Sequence, residues 1–486
     1  MSLSLQIDRE SRCPIYQQIV NQIKRQISIG DLPAGTRLPA VRHLASMLGV
    51  TRLTVHNAYA ELQADGWVEA TVGRGTFVKA GLEVEALLAQ HLEHHRHRLH
   101  YCSDMHRLLN TGTLLALAYA VPDISLVPST QILEAFNQIK SDAAALLHYG
   151  GQDGDHELRI ELTEHLKERG INTLPDNILI TSGATQGLAL ITQTLAQRGD
   201  KVLVEVPTYL GQMKVFNVMG VEPVGVPMDE EGVIIEKLID AIEKHKPKFI
   251  SLIPNYHNPT GVLMSEERRL AVLDIANHYR IPIVEDDVYG LLTYEEKAPL
   301  ALKALDKTDN VIYISSVSKT VAPGLRIGYI TANAQLLDKF TQLRWATELG
   351  GTPLMHRALA IFFREGHFKH HMKRILPIYK ERRDAMLSAL RRYMPTHSTW
   401  TSPRGGLCIW VKLPPKGQYN DLYPAALMRG IVYTPNEAFF TEYSDEYYMR
   451  LCFGSQDPST LETAIHVLAE LIYERIELYQ PTRITV

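Results

Sequence analysis

The sequence has few cysteines and no long apolar stretch. Its four cysteines, Cys13, Cys102, Cys408 and Cys452, are far apart and show no metal-ligand spacing. This excludes a disulfide scaffold and indicates a reducing compartment. No apolar run approaches the roughly 18–20 residues of a membrane span, and residues 1–14 lack the apolar stretch of a signal peptide. We therefore expect a cytoplasmic protein with no membrane partner.

The chain also lacks a strong excess of charge of either sign. Its formal net charge of −4 over 486 residues excludes a basic nucleic-acid binder along the whole length. Residues 1–80 hold nine basic and six acidic residues, whereas the remainder holds 41 basic and 48 acidic residues. This asymmetry permits a nucleic-acid module at the N-terminal end. With 45% hydrophobic residues, the chain has ordinary globular composition, and its length predicts two to four domains.

Residues 1–80 read as one small domain. Apolar residues at helical spacing predict helices over 14–30, 40–48 and 52–65. Gly49 is placed to end the second helix and Thr51 to cap the third. Two β-prone runs around Gly-Arg-Gly follow in 67–78, which indicates a hairpin. The strings LPAVRHLA, GVTRLTVHNAYAELQADGW and GRGTFV, in this order, resemble the winged helix-turn-helix DNA-binding domain of the GntR family over residues 12–79.

The GntR resemblance implies that the third helix enters the major groove of double-stranded promoter DNA. His56 departs from the arginine that is common at its position. The residues that the resemblance brings to DNA are Arg52, Thr54 and His56 on the recognition helix, Arg42 on the helix before it, and Gly73 and Arg74 at the tip of the wing.

Residues 81–113 form a helix-prone, His-rich segment with QHLEHHRHRLHYC at its centre. Histidines on one helical face could bind a metal ion, but no carboxylates or cysteines lie near them at tight spacing. A solvated linker helix is therefore expected, and no metal site is predicted.

From about residue 114 onwards, short β-rich runs alternate with amphipathic helices. The runs are nearly continuous in apolar residues, which indicates strands buried on both faces, and their alternation with helices indicates a mostly parallel α/β sheet. We expect a large part over about 130–360 and a smaller α+β part over about 361–486, joined by the N-terminal segment. The predicted strands of the large part lie in 177–183, 201–207, 248–254, 281–287, 310–316 and 325–331.

Six motifs follow one another at the ends of the predicted strands. Ligands of such sheets gather at the carboxyl ends of the strands. The motifs are TSGATQG (181–187), PTYLG (207–211), NYHNPTG (255–261), EDDVYG (285–290), SSVSKTVAPGLRIGY (315–329) and YMRLCFG (448–454). In this order they resemble the fold type I pyridoxal-phosphate enzymes of the aminotransferase superfamily, over residues 114–486.

This second resemblance implies a site for pyridoxal 5'-phosphate and gives roles to the residues that match its motifs. Lys319 matches the lysine whose amine condenses with the cofactor aldehyde to form an aldimine. Asp286 matches the carboxylate that keeps the pyridine nitrogen protonated, since a negative neighbour raises the pKa of that nitrogen. Tyr289 and Asn258 match the pair that hydrogen-bonds the ring hydroxyl.

The remaining matches concern the phosphate, the ring face and a ligand carboxylate. The phosphate is expected at a helix N-terminus, which favours anions, and the planar fork of an arginine suits a carboxylate. The matching residues are Gly183, Ala184, Thr185, Ser316, Ser318 and Arg326 for the phosphate, Tyr149 for the phosphate of the neighbouring subunit, Tyr209 for ring stacking and Arg450 for the carboxylate. One departure is LAYAVPDISLVP (117–128), which has Tyr119 and Ala120 where small glycines are expected.

A GntR-like winged helix joined to an aminotransferase-like body resembles the MocR family of bacterial regulators over essentially the whole chain. The resemblance implies a head-to-tail homodimer that senses pyridoxal phosphate, a small amino compound, or both. Three functions stay open: a ligand-sensing transcription regulator, a working aminotransferase of a 2-amino acid with an accessory DNA-binding domain, and a sensor of the cofactor alone.

Overall fold

In a computed structural model the chain divides into two units, Met1–Leu114 and Leu115–Val486. The predicted linker, 81–113, lies outside the residues that the structure describes, so its helical character stays a prediction. The described residues are 5, 7, 14–28, 32, 35–64, 67–71, 75–79, 115–140, 143–295, 297, 299–415, 417–441, 444 and 446–477.

The N-terminal unit contains the three helices and the hairpin that the sequence predicts. Their bounds are α1 (Ile15–Ser28), α2 (Val41–Leu48), α3 (Arg52–Ala64), β1 (Val68–Thr71) and β2 (Gly75–Val78). The two strands are antiparallel. The core is formed by the apolar faces of the helices, and Ile19, Ile23 and Ile27 of α1 are fully buried there. Burying such side chains contributes about 1.5–3 kcal/mol each.

The turn between α2 and α3 is fixed by two local devices. Gly49 has φ 62°, a left-handed conformation that glycine adopts without strain, and it ends α2. The Thr51 hydroxyl accepts a hydrogen bond from the backbone N–H of Thr54 at 3.2 Å, so it satisfies one of the free donors at the start of α3. Both predicted caps are confirmed, and the sequence therefore sets where α3 begins.

The second unit is built on an eight-stranded sheet. In space its strands follow the order β4, β11, β10, β9, β8, β5, β6, β7. Strands β10, β9, β8, β5 and β6 are parallel neighbours, whereas β11 and β7 are antiparallel to theirs. Their bounds are β4 (Ile178–Thr181), β5 (Lys201–Val206), β6 (Glu222–Asp229), β7 (Gly232–Val233), β8 (Ile250–Leu252), β9 (Ile283–Asp286), β10 (Val311–Ser316) and β11 (Gly328–Thr331). The prediction of a mostly parallel α/β sheet is confirmed.

A smaller four-stranded sheet and a two-stranded ladder complete this unit. The four-stranded sheet has the order β12, β13, β16, β15, and the ladder pairs β3 with β14 in parallel. Through this ladder the N-terminal segment of the unit joins the C-terminal part of the chain. The bounds are β3 (Leu115–Ala116), β12 (Thr399–Trp400), β13 (Cys408–Lys412), β14 (Ile431–Val432), β15 (Thr434–Pro435) and β16 (Tyr448–Cys452).

Helices cover the strands of the large sheet and flank the smaller one. They are α4 (Ser129–Gln138), α5 (Ala143–Leu146), α6 (His156–Lys167), α7 (Ala184–Leu195), α8 (Leu210–Met219), α9 (Ile235–His245), α10 (Glu266–Tyr279), α11 (Leu302–Leu305), α12 (Ala334–Glu348), α13 (Pro353–Arg364), α14 (His367–Tyr393), α15 (Leu422–Met428) and α16 (Pro458–Glu477). Short 3₁₀ turns occur at Ile124–Leu126, Pro175–Asn177, Pro323–Leu325 and Asn436–Ala438. Two apolar clusters, one on each side of the sheet, hold these layers together.

Candidate cofactor site

One cavity lies beyond the carboxyl ends of β4, β5, β8, β9 and β10. All eleven residues that the sequence predicts to touch the cofactor from within the chain line it. They come from five separate strand ends, and the parallel sheet brings these ends to one edge. Sequence-distant motifs therefore meet in a single pocket, and their roles toward a cofactor stay a prediction.

Lys319 lies three residues after the end of β10 and forms part of the cavity wall. Its Nζ donates a hydrogen bond to the backbone carbonyl of Ala120 at 2.8 Å. Burial lowers the pKa of the Lys319 amine, since desolvation disfavours the charged form. A less basic amine is more often neutral, and a neutral amine is the form that attacks a carbonyl carbon.

Asp286 and Asp287 end the same strand region but have different surroundings. Asp286 lines the cavity, and within the described part of the chain its buried Oδ1 has no hydrogen-bond partner. Desolvation and the neighbouring charge of Asp287 raise the pKa of Asp286 to about 7. Asp287 faces away: it accepts hydrogen bonds from Arg169 Nε at 2.7 Å, Asn255 Nδ2 at 2.7 Å and Tyr313 Oη at 2.8 Å. Asp286 is thus the carboxyl group with an oxygen that has no hydrogen-bond partner among the described residues, and Asp287 belongs to the interior.

Asn258 connects the cavity to Arg450. Its Nδ2 donates to Tyr289 Oη at 3.4 Å, and its Oδ1 accepts from Arg450 Nη1 at 2.8 Å. Arg450 does not line the cavity itself; its Nη2 donates to the Ala118 carbonyl and to Thr434 Oγ1, and the guanidinium lies over the ring of Phe439. Burial raises the pKa of the Tyr289 hydroxyl above its usual value, so it stays a donor. The side chain of Asn258 therefore lies between Arg450 and the cavity.

The turn between β4 and α7 has the geometry of an anion site. Gly183 has φ 97°, and α7 begins at Ala184, so backbone N–H groups point into the cavity from a helix N-terminus. Arg326 packs against this turn and donates from Nη2 to the Ser182 carbonyl at 2.9 Å. A Cβ added at Gly328 would lie 2.5 Å from the backbone carbon of Gly183. Only a glycine at position 328 therefore lets β11 lie this close to the turn.

Sequence reasoning missed the residues that hold this turn from behind. Gln186 Oε1 accepts from the backbone N–H of Ser182 at 2.7 Å, and Gln186 Nε2 donates to Glu348 Oε2 at 2.7 Å. Glu348 also accepts from the Ser182 hydroxyl and from Arg344 Nε. Gln186 stands in the TSGATQG motif and could have been found there. Glu348 and Arg344 lie on α12, more than 150 residues away, and carry no local signal.

Tyr149 does not line the cavity. Its side chain is 72% exposed, beside the surface residues His148 and Pro353. The resemblance assigns Tyr149 to the site of a neighbouring subunit, so its role stays a prediction.

The predicted DNA-contacting residues of the first unit occupy the start of α3 and α2. Arg42, Arg52 and His56 are exposed, whereas Thr54 is partly buried and its hydroxyl bonds that of Thr51 at 2.8 Å. Gly73 and Arg74 lie outside the described residues.

Comparisons with known proteins match both units. Residues 117–468 match the family of class I and II aminotransferases, and residues 15–78 match the gntR family of bacterial regulatory proteins. An uncharacterized HTH-type transcriptional regulator of Bacillus subtilis, YdfD, is 32% identical over 95% of this chain and 97% of its own length. The probable rhizopine catabolism regulatory protein MocR of Rhizobium meliloti is 28% identical over 96% of this chain and 95% of its own.

The chain belongs to the MocR family of GntR-type regulators. Among solved structures, the kynurenine aminotransferase of Pyrococcus horikoshii in complex with PMP has a TM-score of 0.73 and 34% identity, and the match covers 78% of this chain and 95% of that one. The MocR-type architecture and the fold type I body predicted from the motifs are thus confirmed, and the fold implies pyridoxal phosphate as the cofactor.

The residues of this MocR-type chain fit that cofactor. Asp286 offers a carboxylate whose buried Oδ1 has no hydrogen-bond partner among the described residues, which suits a protonated ring nitrogen. Lys319 offers an amine of lowered pKa for the aldehyde. The start of α7 offers backbone donors for the phosphate. Within the described residues, no helix has the length and apolar character that crossing a bilayer requires.

Proposed function

We propose that this chain is a DNA-binding transcription regulator that holds pyridoxal 5'-phosphate in its aminotransferase-like unit and responds there to a small amino compound. One observation carries the proposal: a single chain joins a GntR winged helix to a cavity lined by eleven residues of complementary chemistry. Because promoter DNA is the target, the protein would act in the cytoplasm.

The proposed roles come from the family resemblance and are supported by the position of each side chain in the cavity wall. When bound, the cofactor supplies an aldehyde that captures amines and a pyridine ring that accepts electrons. Lys319 would hold it through its amine, Asp286 would keep the ring nitrogen protonated, and Tyr289 with Asn258 would donate to the ring hydroxyl. The turn at Gly183 and the guanidinium of Arg326 would take the phosphate. Ala184, Thr185, Ser316 and Ser318 would also contact the phosphate, and Tyr209 would stack on the face of the ring.

The second subunit and the effector complete the proposal. Tyr149 is 72% exposed and would reach the phosphate of a partner in a head-to-tail homodimer. Arg450 would bind the carboxylate of a 2-amino acid through its planar fork. On DNA, α3 would enter the major groove with Arg52, Thr54 and His56 toward the bases or phosphates, and Arg42 would contact a phosphate or a base.

A direct test attaches the cofactor chemically. The purified chain is mixed with pyridoxal phosphate, reduced with borohydride and analysed by peptide mass spectrometry, and its visible absorbance is recorded before reduction. We expect the label on Lys319 and loss of both label and absorbance in Lys319→Ala. Lys339→Ala, on the exposed face of α12, serves as the control and should behave as the wild type. A label spread over surface lysines would contradict the proposal.

A working aminotransferase is the second candidate function. It is favoured by the placement of Arg450 beside Asn258 and by the likeness to the P. horikoshii kynurenine aminotransferase. Amino acids added to the loaded protein with a 2-oxo acid decide between the two. Catalytic release of the corresponding oxo acid supports the enzyme, whereas a change in DNA affinity without turnover supports the regulator.

A further inference from the structure

We infer that residues 115–120, called the entry segment, carry the state of the cofactor site toward the DNA-binding unit. Lys319 on the cavity wall and Arg450 behind Asn258 each donate to a backbone carbonyl group of this segment, and ligands of the site would compete for both side chains. The inference rests on the function proposed above and adds the route of its regulation.

The entry segment is the first part of the aminotransferase-like unit that the chain reaches after residues 81–114. It begins with the two-residue ladder between β3 and β14. Backbone hydrogen bonds of 2.8 Å run from Leu117 N–H to the Val432 carbonyl and from Cys452 N–H to the Leu117 carbonyl. So short a ladder is a weak attachment by itself. The additional bonds to side chains therefore bear on how firmly the segment is held.

Lys319 supplies the first of these additional bonds. Its Nζ donates to the Ala120 carbonyl at 2.8 Å, and Ala120 is only 5% exposed. The same amine is the group that would hold the cofactor. An amine engaged covalently in the cavity gives up its bond to Ala120. A buried carbonyl that loses its donor is destabilised until it finds another donor or moves to water.

Arg450 supplies the second bond, two residues earlier in the segment. Its Nη2 donates to the Ala118 carbonyl and to Thr434 Oγ1, and Thr434 Oγ1 in turn lies 3.0 Å from the Ala118 carbonyl. Ala118 is 2% exposed. A carboxylate that binds the arginine fork in a bidentate manner competes for the N–H groups now directed at protein oxygens. Ala118 would then lose one of its donors.

The two bonds predict a stepwise response. The cofactor alone frees the Ala120 carbonyl. A 2-amino acid whose nitrogen replaces Lys319 on the aldehyde carbon would release the lysine amine, so Ala120 could regain its donor, while the ligand carboxylate would draw Arg450 away from Ala118. An amine without a carboxylate would also release Lys319 but would leave the bond from Arg450 in place. The entry segment thus distinguishes three states of the site, and it lies next in sequence to the residues that lead to the winged helix.

Hydrogen–deuterium exchange of the full-length chain tests the inference. Peptides that cover 115–121 are followed without cofactor, with pyridoxal phosphate, and with pyridoxal phosphate plus a mixture of the common L-amino acids. We expect the cofactor to slow exchange around 182–187 and, in the opposite direction, to speed exchange in the entry segment. With the amino acids, exchange should stay faster than in the cofactor-free chain, because Ala118 has lost a donor, whereas methylamine should return it toward the cofactor-free rate. An entry segment that slows or stays unchanged on cofactor binding overturns the inference, and equal responses to amino acids and to methylamine overturn the part of Arg450.

Thr434→Val provides a variant outside the groups that would touch the cofactor. It removes the hydroxyl beside Ala118 and keeps the shape of the side chain. We expect entry-segment exchange several-fold faster without cofactor, unchanged visible absorbance with it, and a smaller cofactor-induced increment. The matched control is Thr192→Val, because Thr192 is equally buried and its hydroxyl donates to the Leu188 carbonyl at 2.7 Å, in α7. Thr192→Val should leave the entry segment unchanged.

DNA binding supplies the last readout. With a fragment from upstream of the gene for this chain, cofactor and amino acids should change the affinity of the wild type by a factor within about 5–150, the usual range of allosteric coupling. The factor should shrink in Thr434→Val and persist in Thr192→Val. If the wild type fails to bind pyridoxal phosphate, the proposed function is wrong. If it binds the cofactor and the Thr434→Val variant responds as the control does, only the entry-segment inference is wrong.

Discussion

Neutralising Asp286 and neutralising Asp287 should change the stability of the cofactor-free protein in opposite directions, although the two residues are neighbours in sequence. Asp286 faces the cavity with a buried oxygen that lacks a partner among the described residues. Asp287 is paired with Arg169, and both side chains are almost fully buried. The ionised carboxylate of Asp286 therefore destabilises the cofactor-free protein, whereas that of Asp287 stabilises it through its pair with Arg169.

The sign for Asp286 follows from its pKa. Burial and the charge of Asp287 raise this pKa from 3.8 to about 7, so between these values the folded state keeps a proton that the unfolded state has released. Stability therefore falls as pH rises through this window. At about 1.36 kcal/mol per pH unit the penalty reaches at most about 4 kcal/mol above pH 7. Because Asp286 is only partly buried, solvent screens its charge and reduces the penalty to roughly 2 kcal/mol.

Asp286→Asn removes this penalty. We expect the cofactor-free variant to be more stable than the wild type by roughly 2 kcal/mol at pH 8, and by less as the pH falls toward 5. Asp287→Asn instead leaves the guanidinium of Arg169 buried without its counter-charge. Breaking such a pair costs about 3–5 kcal/mol, and the loss should be present across the whole range from about pH 5 to 8.

Urea unfolding at three pH values measures both effects. Tryptophan fluorescence is suitable because Trp345, Trp400 and Trp410 all lie in the aminotransferase-like unit. Asp338→Asn, on the exposed face of α12, controls for loss of a surface charge. If Asp286→Asn were destabilised at pH 8 as strongly as Asp287→Asn, the conclusion that Asp286 lacks compensation in the empty site would be refuted.

Three further predictions concern the caps, the DNA contacts and the phosphate turn. Thr51→Ala removes the cap of α3 and should destabilise the N-terminal unit by about 1 kcal/mol in thermal unfolding, whereas Thr51→Ser should restore it. Arg42→Ala should lower the slope of log affinity for DNA against log salt concentration by about 1, and an unchanged slope would exclude a phosphate contact. Glu348→Gln should weaken pyridoxal phosphate binding by about tenfold in an absorbance titration, because a charged acceptor for Ser182 and Gln186 is lost; unchanged affinity would show that Glu348 does not hold the turn.

Much of the fold could be predicted because its signals are local. The six apolar runs became β4, β5, β8, β9, β10 and β11, each within a few residues of its predicted bounds. The caps of α2 and α3 follow from single residues, Gly49 and Thr51. Strands β6 and β7 were missed, because Pro223, Gly225 and Pro227 interrupt the apolar pattern of β6.

In the candidate site, too, some residues have a local sequence signal and could be predicted, whereas others have none. Residues on the cavity wall stand at strand ends inside short motifs, so a single pass along the sequence finds them. Residues behind the wall reach it from distant elements: Glu348 from α12, and Arg169 from the end of α6, 118 positions before its partner Asp287. Such pairs are fixed by packing of the complete sheet, and nothing in the neighbouring sequence indicates which partner a buried carboxylate will have.

Compensation of charge differs between the two sides of the cavity wall, and this difference explains why the site suits a charged ligand. Behind the wall, Asp287 is neutralised by Arg169, and Glu348 by Arg344 with two further hydrogen bonds. In front, Asp286 has a raised pKa and Lys319 a lowered one, because desolvation disfavours the charged form of each. A ligand that brings a ring cation to Asp286 and a carbonyl carbon to Lys319 relieves both costs at once. Part of the free energy of cofactor binding therefore comes from relieving these unfavourable terms. Asp286→Asn should weaken cofactor binding, because it removes the same carboxylate whose titration makes the stability of the cofactor-free protein depend on pH.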